Sequence, residues 1–443
     1  MARSAEFWIQ FHNTFNPDEK LAGKRSEDLF CDREYSPFEI IQSDFRPEIQ
    51  RKVAFFTGHR GSGKSSMLLR VIERLKENFF PVYFDIEHNL DSSKTNQLDL
   101  LLLLGAAIHK TAKQEGMEPG TEHLDNLVSS IYTVTREVKG TDKDDLNLAE
   151  MVKGVICFGA SVLGNSIVEK LAEAALKPFT LSSGVSEEIA RKREIEPQVQ
   201  KIIGHLKQIA DEVKRLSGKE VLAVVDGLDK LQQFKQAEAI FLESRALREP
   251  VCRLIYTVPM LINRDPRFAL VEQDCHSYFY PNIKLYDRND DRKRHDDGYK
   301  ALREVVRKRL SMLDARGSGL TEEEIFDSGA LDQLILMSGG VIRLFINLVQ
   351  SAGKQAEILG LDRINPSVVQ RVVDDEVVRI TGRLTLKILE ELRTVRDNKC
   401  PSDNTEEINN LLHGLFIVAY RDRSTWYDAH PLLWEELSKP KGK

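Results

Sequence analysis

Residues 58–65 read Gly58-His59-Arg60-Gly61-Ser62-Gly63-Lys64-Ser65, the complete G-x-x-x-x-G-K-[ST] spacing of a phosphate-binding loop. Glycines at these positions let the backbone curl so that successive N–H groups point at β- and γ-phosphates. Lys64 would bridge the terminal phosphates, Ser65 would place its hydroxyl on Mg²⁺, and Ser66 follows in the first helical turn. A second group at the right kind of place is Asp226, which closes the apolar run Val221-Leu222-Ala223-Val224-Val225 and is a candidate Mg²⁺ carboxylate. Three residues on, in Gly227-Leu228-Asp229-Lys230, Asp229 is the best acidic candidate for orienting an attacking water, with Glu87 a weaker one. These residues together predict a chain that binds a nucleoside triphosphate with Mg²⁺.

Positioning them requires strands and a helix. Val53-Ala54-Phe55-Phe56 reads as a buried strand before the loop, and Met67, Leu68, Val71, Ile72 and Leu75 recur at helical spacing after it. Further apolar runs at Pro81–Ile86, Val221–Asp226, Val251–Thr257 and Tyr278–Leu285 do not alternate, the pattern of strands in a parallel sheet covered on both faces. The fold class expected is therefore α/β. The nucleotide-binding core spans 51–290 after a lead-in at 1–50, in which Tyr35 and Phe38 either stack on adenine or pack in the core. A mainly helical insertion fills about 95–217, broken by turn signals at Lys139-Gly140-Thr141-Asp142 and Ser182-Ser183-Gly184. Residues 291–378 read as a helical lid and 379–443 as a small α+β unit.

Three further groups bear on hydrolysis. Thr257 ends a strand where a polar side chain either senses the terminal phosphate or caps the strand. Arg264 and Arg267 lie between two strands, where an arginine would reach a neighbouring subunit's nucleotide if subunits stack, or else stay solvated in a turn. Arg343, in Ser338-Gly339-Gly340-Val341-Ile342-Arg343, opens a lid helix and is a candidate contact to the γ-phosphate.

Composition narrows the class. The chain has 443 residues, 41% hydrophobic and 30% charged, with a formal charge of −6. That balance suits a globular protein of several domains and argues against constitutive, tight nucleic-acid binding. Five scattered cysteines with no C-x-x-C pair fit reduced thiols in the cytoplasm, and no secretory signal is read at Met1–Gln10. The apolar run from Gly154 to Val168, bounded by Lys153 and Glu169, falls short of the ~20 residues a bilayer needs, so no membrane span is expected.

The phosphate loop, Asp226-Gly227-Leu228-Asp229, Thr257 and the Gly-Gly-x-x-Arg at Gly339–Arg343 together resemble AAA+-related ATPases. Within them the chain is most similar to STAND signal-transduction ATPases and origin-recognition-type initiators, over roughly residues 30–380. The resemblance implies an ATP-driven conformational switch that controls self-association or a separate effector protein, as in bacterial signalling and antiviral defence. One departure bears on rate: AAA+ enzymes usually place Glu directly after the Mg²⁺-binding Asp, and position 227 is Gly. That tilts the expectation toward slow turnover, or toward a nucleotide-binding scaffold with negligible hydrolysis.

Residues 379–443 resemble a winged helix, with helices around Leu384–Leu392 and Thr405–His413 and a strand pair joined across Arg421-Asp422-Arg423-Ser424. Arg421 and Arg423 could touch phosphates, which keeps a DNA-bound initiator or transposition regulator as the alternative. The candidate reading helix, however, carries Glu406 and Glu407, and 361–443 holds 13 basic against 14 acidic side chains. Charge thus places protein contact ahead of DNA contact.

Overall fold

The structure is a computed structural model that describes residues 3–86, 96–138, 188–231, 233–313 and 319–439. Glu87, the two turn signals within the insertion and the apolar run 154–168 lie outside the described residues. Along the chain come helices α1 (Ala5–Thr14), α2 (Gly23–Leu29) and α3 (Phe38–Asp44), strand β1 (Val53–Gly58), helix α4 (Lys64–Leu75) and strand β2 (Phe79–Asp85). Helices α5 (Gln97–Gln114), α6 (Glu122–Val138) and α7 (Glu188–Ser217) precede strands β3 (Glu220–Asp226), β4 (Arg253–Val258) and β5 (His276–Tyr280). Then follow α8 (Asp296–Leu313), α9 (Ala330–Met337), α10 (Ile342–Ile358), α11 (Pro366–Thr381), α12 (Leu386–Asn398) and α13 (Glu406–His413). Strands β6 (Ile417–Arg421) and β7 (Thr425–Ala429) lead to α14 (Trp434–Ser438).

The chain divides into two compact units. The sheet unit comprises residues 40–57 and 71–278; the loop unit comprises 1–39, 58–70 and 279–443.

In the sheet unit the strand order is β2-β3-β4-β1-β5, and the β2·β3, β3·β4 and β4·β1 pairs are parallel. This is the α/β architecture the apolar runs predict. Every residue of β1 and β4 is buried, as continuous apolar runs at the centre of a sheet require. β2 alternates along most of its length and contains Pro81, which an edge strand tolerates because one side of its ladder needs no N–H donor. α5 starts at a capping box: the Asn96 side chain accepts from the N–H of Leu98 and Asp99, and Asp99 accepts from the N–H of Asn96. Its run Leu98–Ile108 is buried on all sides because α6 and α7 pack on it from outside while β2 and β3 lie beneath. A Cβ at Gly105 would stand 2.5 Å from a Leu127 methyl, so α5 and α6 approach closely there.

In the loop unit, Trp8 and Phe11 of α1 pack on α10, where a Cβ at Gly353 would meet the Phe11 ring at 2.6 Å. Helix starts are set locally: Asn365 caps α11 ahead of Pro366, and Thr385 and Thr405 cap α12 and α13. The antiparallel β6·β7 pair is the strand pair expected near the C-terminus, with Tyr420 and Trp426 buried. The strand expected over Tyr278–Leu285 stops instead at Tyr280. Pro281 cannot donate to a ladder, and beyond it Asn282 N–H bonds to Ala419 O at 3.1 Å and Ile283 N–H to Gly340 O at 3.1 Å. Among the described residues no helix is long and apolar enough to cross a membrane.

Candidate functional site

The phosphate loop is built from backbone angles that only glycine adopts freely. Gly61 and Gly63 sit at φ +79° and +92°, and α4 opens at Lys64, so free N–H groups of the first helical turn follow directly on the curl. Lys64 is buried and donates its Nζ protons to the carbonyls of Gly58 (2.8 Å) and His59 (2.7 Å). Ser62 is fully buried with its Oγ unpartnered, while Arg60 points to solvent. Ser65 is half-buried, and Ser66 Oγ accepts the N–H of Leu21 at 3.1 Å. His59 is buried beside Leu412, His413 and His430; burial first, and the Lys64 cation second, push its pKa down to about 3.

The glycine pair Gly339–Gly340 meets this loop within the same unit. Gly339 and Gly340 take φ +58° and +72°, and a Cβ on Gly340 would fall 1.8 Å from the Ile283 carbonyl. Tyr420 donates its hydroxyl proton to Gly339 O at 2.8 Å. This turn delivers Arg343 to the phosphate loop: its N–H donates to Gly61 O at 3.0 Å, and a Cβ on Gly61 would stand 2.9 Å from Arg343 Cβ. The Arg343 guanidinium lies toward the N-terminal segment, donating to Pro17 O at 3.3 Å with Asp18 at 3.8 Å.

The sheet unit holds the acidic groups at the C-terminal ends of its strands. Asp226, 2% exposed, accepts the Gly227 N–H on Oδ1 (2.8 Å) and the Tyr83 hydroxyl on Oδ2 (2.6 Å). Gly227 turns at φ +89°, and Asp229 follows, buried, in a single 3₁₀ turn. A glutamate at 227 would be strained at that angle, which accounts for the glycine in this chain. Thr257 is fully buried and its hydroxyl is engaged: it accepts from Leu228 N–H at 3.1 Å and donates to Val225 O at 3.5 Å. It ties the β4 end to the turn that carries Asp229. Arg264 ends the short helix Met260–Arg264, half-buried. Arg267 is about half exposed, bound to Asp265 (2.7 Å) and Glu238 (2.6 Å), contacts that hold its pKa above the ordinary value.

Two residues beside the phosphate loop carry no recognisable spacing. Arg33 lays its guanidinium 3.4 Å over the Tyr280 ring, and its nitrogens are buried without an acceptor. Tyr280 in turn lies against the loop, its carbonyl 2.5 Å from where a Gly58 Cβ would stand. Asn282, 3% exposed, has both amide atoms unpartnered and lines a small cavity with Arg33 and Lys284. Buried polar atoms without partners are uncommon and suit a polar ligand such as a base or ribose. Asn282 had as its only sequence signal a polar side chain just past a strand end, and Arg33 had none. Tyr35 is partly exposed at φ +59°, and Phe38 is half-buried beneath Arg70.

No protein-family model and no curated protein matches the chain. Among solved structures it is similar to the Aeropyrum pernix ORC1 protein in complex with DNA, at 11% identity and a TM-score of 0.41 over 96% of each chain. It is similar also to Drosophila ORC bound to DNA, at 11% identity and a TM-score of 0.40 over 97% of this chain and 91% of that one. A Thermotoga maritima RuvB variant aligns at 12% identity and a TM-score of 0.27 over 73% and 96%. At these values the likeness assigns neither family nor activity; the α/β fold with its phosphate loop rests on the strands, glycines and helices described above.

Proposed function

We propose that the protein is an AAA+-related ATPase of low turnover, a switch whose nucleotide state governs self-association or engagement of a separate protein. The observation that carries this is the phosphate loop: left-handed Gly61 and Gly63, buried Lys64 and the start of α4, all directly after a fully buried strand. The residues present suit ATP with Mg²⁺. The loop leaves no room for a side chain at Gly61, and Lys64 holds carbonyls that phosphate oxygens would replace as stronger acceptors. Ser65 and Asp226 would hold Mg²⁺, which when bound neutralises charge on the phosphates. Asp229 would orient water, Arg343 would pair with the terminal phosphate after leaving Pro17 and Asp18, and Arg33 with Asn282 would seat the base and ribose. Arg264 and Arg267 are the candidates for reaching a neighbouring subunit, Arg267 only by giving up both of its ion pairs. Thr257 acts through the turn it fixes.

Slow turnover follows from Gly227, since the position that usually bears a glutamate holds a left-handed glycine. In the winged-helix-like region, α13 begins with Glu406 and Glu407, the latter paired to Lys387, an acidic end suited to protein rather than to nucleic-acid phosphate. Val378 on α11 (71% exposed) and Leu386 at the start of α12 (83% exposed) are exposed apolar side chains. Size exclusion with light scattering, run with and without ATP·Mg²⁺ while phosphate release is followed, tests the reading. A larger defined species that decays as phosphate appears is expected. Lys64→Ala should abolish nucleotide binding, and retained affinity would refute the site. Asp229→Asn should keep binding and slow turnover. A salt-sensitive gel shift with duplex DNA, lost in an Arg421→Glu/Arg423→Glu variant, would replace the protein-partner reading with the initiator one.

A further inference from the structure

Asp226 has a second partner that no motif announces. Tyr83 stands on β2, paired in register with Val224, while Asp85 pairs with Asp226. Side chains on a strand alternate, so Tyr83 and Asp226 share one face as diagonal neighbours, a separation that a tyrosine spans and a shorter side chain does not. The phenol oxygen reaches Asp226 Oδ2 at 2.6 Å while Gly227 N–H holds Oδ1 at 2.8 Å.

We infer that Tyr83 is a positioning residue for the metal-binding carboxylate, an inference that rests on the Mg²⁺ role proposed for Asp226. A carboxylate torsion is soft, and one backbone contact leaves the plane of the group free to rock. With one donor on each oxygen the plane is fixed, and each oxygen keeps a lone pair for the metal. Outer donors of this kind orient metal ligands and typically change metal affinity by about 10–100-fold when removed.

The test uses the full chain with a non-hydrolysable ATP analogue and Mn²⁺, bound metal being read by electron paramagnetic resonance. Tyr83→Phe keeps the ring and removes the donor. It should weaken Mn²⁺ binding to the analogue complex by about tenfold and raise the Mg²⁺ needed for half-maximal turnover in proportion. Affinity for the analogue without metal should not change. In an Asp226→Asn background the same substitution should add nothing. Unchanged Mn²⁺ affinity in Tyr83→Phe, alongside a loss in Asp226→Asn, overturns the inference and leaves the ATPase reading standing. Unchanged Mn²⁺ affinity in Asp226→Asn itself overturns both. Equal loss of metal-free and metal-bound affinity in Tyr83→Phe marks the tyrosine as structural and also overturns the inference.

Discussion

In the loop unit, Gly61, Gly63, Gly339 and Gly340 all take left-handed angles, and the contacts that follow are largely backbone ones, such as Arg343 N–H on Gly61 O. In the sheet unit the corresponding work falls to side-chain hydroxyls: Tyr83 on Asp226, Thr257 on the N–H of Leu228. The first arrangement cannot be altered by small steps, because a Cβ at Gly340 has nowhere to go. The second is adjustable, because a hydroxyl can be removed with the packing left intact. Loops for phosphate are thus fixed by what the backbone permits, and the carboxylate edge by what neighbouring strands supply.

Breaking the backbone arrangement should produce the largest effect. Gly340→Ala forces a clash with the Ile283 carbonyl at a left-handed position, and we expect a loss on the order of 4 kcal/mol. A melting temperature within a few degrees of wild type would show that the turn relaxes. Acid should have the next largest effect, and it acts within the loop unit. His59 and His430 are buried and held neutral, with pKa values pushed down by burial to about 3 and about 4. In the unfolded chain they protonate near 6.5, so stability is complete above pH 6.5 and falls as pH drops toward those values. Between pH 6.5 and 5 each should remove about 2 kcal/mol from the loop unit, and His59→Gln should flatten that slope in denaturant titrations.

Thr257→Val sharpens the comparison from the sheet side. It strands the Leu228 N–H and should cost about 1–3 kcal/mol while slowing turnover through Asp229. Thr257→Ser should restore both, and turnover that stays normal in the valine variant would detach Thr257 from the chemistry. The smallest change expected is from Asp18→Ala. Asp18 is 81% exposed and 3.8 Å from Arg343, so its removal should shift stability by less than about 0.5 kcal/mol. A larger shift in a thermal melt would mean that the N-terminal segment braces Arg343 more firmly than that distance implies.

How far the sequence led differs between the units for the same reason. Gly61, Gly63 and Lys64 lie close together in the chain, and their spacing is the geometry, so the loop could be read directly. The five strands were each legible from apolar runs, with boundaries off by up to five residues where a proline decided the outcome: Pro81 was admitted at an edge, and Pro281 ended β5. Asp226 was legible because it ends such a run. Tyr83 was not, since its partner is far away in sequence and only the β2·β3 register brings them together. Arg33 and Asn282 were hidden likewise, and their significance lies in lacking partners, which no residue type reveals. Thr257 lies near the end of β4, and whether its hydroxyl faces a ligand or a neighbouring N–H is a matter of a turn whose angle Gly227 sets.

The company kept by residues 58–70 has a bearing on biosynthesis. Besides early partners such as Leu21 and Phe38, they meet Tyr280, Ile342, Arg343 and the region of Leu412 to His430, which the ribosome makes roughly 200–360 residues later. At about 5–20 residues per second, the phosphate loop waits on the order of 20–70 s for the last of them. A nascent chain therefore completes the surroundings of this loop only late in translation, and a truncated product that lacks residues after about 400 would carry the motif without the neighbours that bury His59.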